Sequence, residues 1–178
     1  MPAWSPEIAN DLLHFARLKN RQLDQRQLQA LIYIAHGWLL ASSGQPLTSD
    51  RPICGAFGPE YLLLTKALAA RGVDPVHKPV LNEAIYDEAS GLDLKSPASS
   101  ELDPFEIALL EEVYHNHEGF SAEQLSILTR GSGTPWRTMM SEERGLAIAN
   151  ALIRAQFLEL AGEPVSQAAS ASPGRVPS

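Results

Sequence analysis

A stretch that is apolar on every side of a helix limits what this chain of 178 residues can fold into more than any other feature. Residues 31–47 read LIYIAHGWLLASSGQPL, and within 30–41 the charged and strongly polar types are represented by His36 alone. The run is entered through Gln25, Arg26, Gln27 and Gln29, with Asp24 in front as a cap and Gly44 and Pro46 behind as a stop. This predicts a helix over about 24–43. A helix apolar all round has to be enclosed by other elements. The expected fold is therefore mainly α: a compact single-domain helical bundle around a central apolar helix.

Other helix signals supply the shell. Ser5 reads as an N-cap ahead of Pro6 and Glu7, and Ile8, Leu12, Phe15 and Ala16 recur at helical spacing. Pro59 reads as the start of a third helix, with Tyr61, Leu64 and Leu68 on one face and Gly72 at its end. Asp103 and Pro104 open a fourth, expected to bury Ile107, Leu110 and Tyr114 with Leu109 and Val113 beside them. Ser121 with Gln124 forms a capping box for a short fifth helix through Leu128. Ser141 reads as the cap of the last helix, where Ala149, Leu152, Ile153, Phe157 and Leu160 make a 3.6-period stripe before Gly162. Residues 52–57 and 80–86 are candidates for a small β-ribbon at one edge, and 91–100 for a surface loop. The domain is expected over 1–162, with a disordered tail over 163–178 that is small, polar and proline-containing.

The totals narrow the class. A formal net charge of −7 leaves no sequence-wide basic footprint, so nucleic acid is not the expected partner. Cys54 is the single cysteine, so no disulfide can form within the chain, as suits a reducing compartment. The first residues lack the basic-then-apolar order of a secretion signal. No apolar run approaches the ~20 residues of a membrane span. A cytoplasmic protein is expected.

His36 could be a metal ligand, a general base or a paired core residue. A chelating partner would stand one helical turn away, yet those positions hold Ile32, Tyr33, Leu39 and Leu40. His115 and His117, two apart, point to different sides of a helix and favour a role at its C-terminus. Cys54 has no CxxC partner and no basic flank to lower its pKa. The loop RGSGTPW, residues 130–136, lacks the lysine and preceding strand of a phosphate-binding loop. Its Pro135 and Trp136 either anchor the loop or, if exposed, form a contact hot spot. A helix-turn-helix over 121–136 would offer bases Gln124 and Arg130, with Arg137 just beyond, while Glu118 and Glu123 would face phosphate. No nucleophile, base and electrophile converge, so neither an enzyme nor a cofactor or metal site is expected.

Three ordered blocks, LQALIYIAHGWLLASSGQPL, FGPEYLLLTKAL and LSILTRGSGTPW, resemble the Panacea antitoxin-domain family, which includes phage-associated GepA-like proteins and a proteolytic-adaptor antitoxin. The likeness runs over about residues 12–160. Ala30 stands where the family usually has lysine, Gly55 where a tryptophan is common, and Arg130 where the distal motif has histidine. The resemblance implies an antitoxin that neutralises a co-encoded toxin by direct protein–protein binding, its partner being a cognate toxin encoded by a neighbouring gene. It marks Arg130, Trp136, Phe57, Glu60 and His36 as candidate partner contacts. Tyr33, Gly37, Trp38, Gly58, Pro59, Thr129 and Pro135 become framework positions, with Gly37 expected to admit another element close to the central helix. Alternative readings are a DNA-binding regulator of its own operon, resting on 121–136, and an adaptor delivering a bound toxin to a protease, with 163–178 as a tether. A hydrolase or metal enzyme would have to centre on His36, Cys54, His115 and His117.

Overall fold

The computed structural model describes residues 2–85, 93–140 and 145–162. Expectations for Tyr86, the start of the 91–100 loop, the Ser141 cap and the tail at 163–178 lie outside these residues. The described chain is mostly helical: α1 (Ser5–Leu18), α2 (Gln25–Ser43), α3 (Leu62–Leu68), α4 (Pro104–His117), α5 (Ala122–Arg130), α6 (Pro135–Met140) and α7 (Asn150–Leu160). Two strands, β1 (Ile53–Gly55) and β2 (Gly58–Glu60), pair antiparallel between α2 and α3 in the chain order.

The apolar run forms the axis of the domain. Asp24 accepts from the Gln27 N–H at 2.9 Å, and the Gln27 side chain accepts from the Asp24 N–H at 2.9 Å, closing the first turn reciprocally. Gly44 ends α2 in the left-handed region at φ 73°, where a side chain would be strained. Between Leu28 and Leu40 every residue except Trp38 is buried. Helices α4, α5 and α7 pack along it with α1 and α3, which is how a helix without a polar face is kept from water.

Several elements differ from expectation. Ser5 does not cap α1: it is the first helical residue, its N–H and hydroxyl both given to the Asp50 carboxylate, and Trp4 stands at the cap. Pro59 does not open a helix but sits in β2 opposite Cys54. Cys54 turns its N–H to Leu146 O (3.0 Å) and its carbonyl to the Gly145 N–H (3.1 Å), so no donor is required of Pro59. The partner of the first ribbon segment is thus 58–60, not 80–86; Asn82–Ile85 forms a 3₁₀ turn. The last helix starts at Asn150, because 145–148 run alongside β1, bridging Ile53 at Ala147. Leu152 and Leu160 face solvent rather than the core, and Leu158 is buried in their stead. On α4, Ile107 and Leu109 are only partly covered, whereas Leu110, Val113 and Tyr114 are buried.

Candidate partner-binding site

His36 lies 1% exposed and engages both ring nitrogens. Its Nδ1 accepts from the backbone N–H groups of Leu47 (3.2 Å) and Thr48 (3.3 Å). The proton is therefore on Nε2, which donates to Asn150 Oδ1 at 3.0 Å. Burial pushes its pKa down to about 4, partly opposed by the Asn150 bond. A neutral ring bonded on both sides ties α2 to the 47–48 segment and to the start of α7, and leaves neither nitrogen for a metal or substrate. His36 is accordingly no surface contact, a correction to its expected place among the partner-binding candidates.

One residue on, Gly37 faces the ring of Phe157 so closely that a Cβ would collide with it. Trp38 and Tyr33 meet the same ring edge-on, at centroid separations of 5.1 and 6.0 Å. The first block of sequence is therefore used to seat α7 on α2.

Trp136 is also interior, at 5% exposure. Its Nε1 donates to the Gly55 carbonyl at 2.8 Å, fastening α6 to β1, while Arg130 and Arg137 lie over its ring. A tryptophan held this way anchors the loop and presents no surface, which corrects the second of the expected contacts.

Phe57 does the opposite. It stands at the tip of the β1–β2 hairpin, 62% exposed, with the Arg26 guanidinium 4.5 Å from its ring centroid. The Phe57 carbonyl accepts from Ser126 Oγ at 2.7 Å, so α5 holds the tip from below. The missing Cβ of Gly58, at φ 132°, lets the turn sit against Thr129. On the same face Glu123 receives Arg26 at 3.4 Å and Arg130 at 3.2 Å. Behind the tip lies a cavity of about 230 Å³, lined among others by Gln29, Glu60 and Thr65. Glu60 folds over Gly55, where any side chain would displace it, and accepts from Thr65 Oγ1 at 2.7 Å. Gln29 clasps the other side, accepting from the Tyr61 N–H at 2.8 Å and donating to Thr65 Oγ1 at 3.0 Å.

Antitoxin SocA of Caulobacter vibrioides (strain NA1000 / CB15N) is 30% identical to this chain over 156 residues, spanning 84% of this chain and 80% of SocA. The chain belongs to the SocA antitoxin family. No family model matches it, and no solved structure does.

In this member of the SocA family, the structure brings Phe57, Glu60 and Arg130 to one face and withdraws His36 and Trp136 from it. Arg26 and Glu123 complete that face, although the sequence offers Arg26 only as part of the polar start of α2 and Glu123 only as an acid that would oppose phosphate. Arg26 lies in the polar first turn of α2, and only the hairpin turning back over that turn makes it a neighbour of Phe57. The remaining candidates for chemistry are dispersed. Cys54 is buried, and burial raises its thiol pKa. His115 pairs with Glu111 (3.5 Å) and Glu118 (3.7 Å), while His117 Nδ1 donates to Val113 O at 2.7 Å. Among the described residues no three His, Cys, Asp or Glu side chains cluster in a way that could hold a metal. None of the described helices is long and apolar enough to cross a membrane.

Proposed function

We propose that the protein acts in the cytoplasm as an antitoxin, neutralising a co-encoded toxin by binding it directly through the face around Phe57, Glu60 and Arg130. The observation that carries this reading is the identity with antitoxin SocA over most of both chains. The three ordered blocks that resemble the Panacea antitoxin domain support it. So does the surface: an exposed Phe57 with Arg26 stacked on it, and Glu123 bridging that arginine to Arg130, is the residue chemistry that interface hot spots favour. Recognition of DNA by α5 draws no such support: its solvent side carries Glu123, Ile127 and Leu128, while the two donors there are engaged, Gln124 in the cap with Ser121 and Arg130 with Glu123.

Co-expression with the gene on either side tests the reading. One neighbour should arrest growth alone, be rescued by this protein, and co-purify with it as a stable complex. Toxicity without rescue, or harmless neighbours on both sides, would remove the proposal.

A further inference from the structure

Helix α5 separates the Phe57 cavity from a second concavity on its other flank, of about 460 Å³, between α5, α7 and the 131–134 loop. Its floor is Ile34 and the partly buried Trp38 of α2. Its rim is aliphatic and open to water: Ile127 is 59% exposed, Leu128 46% and Leu160 63%. Single exposed leucines are ordinary, but three large aliphatic side chains around one groove form a contiguous apolar patch of the kind that marks an interaction site. One wall is made by Gly131 and Gly133, which put no side chain in the way of an approaching backbone. The groove runs along the last turn of α7, which contributes Gln156, Phe157, Glu159 and Leu160, and along the end of α5 from Ile127 into the 131–134 loop.

Charge selects the occupant. Among the described residues that line the groove there is no lysine or arginine, and Glu159 is the one acid. The chain as a whole carries −7, so a second copy would bring like charge to the same rim. We propose that this groove receives a short amphipathic helix of the toxin, aliphatic on the side that enters between α5 and α7 and bearing lysine or arginine on the flank over Glu159. The inference rests on the antitoxin reading above and adds the kind of segment recognised and where it docks.

The test uses the full-length protein and the toxic product of the adjoining gene, with affinity measured for wild type, Ile127→Asp, Leu160→Asp and Glu159→Lys. All three positions are exposed, so thermal unfolding of the free variants should match wild type. Each aspartate variant should weaken binding by roughly 30-fold or more. Glu159→Lys should weaken it by about tenfold, chiefly through slower association at low salt. Aspartate variants that bind like wild type would overturn the groove and leave the antitoxin reading standing. Glu159→Lys binding unchanged or tighter would overturn the basic flank, and with it the proposal as stated. A concentration-dependent homodimer dispersed by Ile127→Asp would assign the groove to a second copy and also overturn it. If wild type binds neither neighbouring product, the antitoxin reading fails and the groove proposal falls with it.

Discussion

At the seam of α2 and α7, Phe157 covers Gly37 and His36 has a partner on each ring nitrogen. On the two flanks of α5, Phe57 and Ile127 stand 62% and 59% exposed, Phe57 with only the Arg26 guanidinium across its ring among the described residues. Aromatic and aliphatic side chains dominate both regions. In the seam the Tyr33 hydroxyl and both ring nitrogens of His36, stripped of water by burial, are bonded, so the residues act as architecture. On the α5 flanks the apolar area is left in water, a standing cost that another surface can relieve. Trp136 and Phe57 show the contrast most plainly, since both belong to the quoted sequence blocks and yet one bonds the Gly55 carbonyl inside and the other tops a hairpin outside.

Four perturbations sharpen or break that contrast. The largest effect is expected for Trp136→Ala, which empties an interior site and should lower unfolding free energy in urea by about 3–5 kcal/mol. A Trp136→Ala protein as stable as wild type but unable to bind its toxin would move Trp136 to the functional side.

Acid should act on the seam through His36. Above its ordinary pKa of 6.5 the ring is neutral folded or unfolded, and its buried site carries no penalty. As pH falls from 6.5 toward about 4, the unfolded chain takes up a proton that the folded one refuses. Stability should drop by ~1.4 kcal/mol per pH unit, about 3 kcal/mol across the window. Burial raises the Glu7 and Asp11 carboxyls, so they take up protons more readily in the folded chain and act in the opposite sense. The His36 share is therefore the difference from His36→Gln, whose stability should fall less over pH 6.5–4; parallel curves would show that His36 already titrates normally.

Gly37→Ala should destabilise by about 1–3 kcal/mol by driving a methyl into the Phe157 ring. Combining it with Phe157→Leu should recover part of the loss, a coupling of about 0.5–3 kcal/mol in a double-mutant cycle. Strict additivity would mean the helices separate rather than repack. The smallest stability change belongs to Phe57→Ala, within about 0.5 kcal/mol. The same substitution should weaken toxin binding by roughly tenfold or more. Unchanged affinity would take the hairpin tip out of the interface.

The reading of helices from sequence succeeded where the signal was local. Asp24 with Gln27, Asp103 with Glu106 and Ser121 with Gln124 close their first turns by contacts three residues apart, so the cap and its partner can be seen side by side in the chain. It failed where a distant segment claimed the groups involved. Ser5 was taken by Asp50, and Pro59 by a hairpin whose outer edge is completed by 145–147. The exposed Leu160 keeps a helical spacing with Phe157, as Leu152 does with Ala149, and period alone does not say which rows of a helix another element will cover.

The candidate site divides in the same way. That His36 has no second metal ligand within a helical turn is legible in the sequence by itself. The partners that pair it, Leu47, Thr48 and Asn150, come from elsewhere in the chain. The sequence alone determined that residues 30–41 must lie at the centre, since a helix apolar on all sides has no stable place at a surface. Tertiary structure alone decided which residues of the motifs reach the surface. Exposure depends on what packs across a side chain, and in this domain such a neighbour can lie 123 residues away, as Gln156 does from Tyr33.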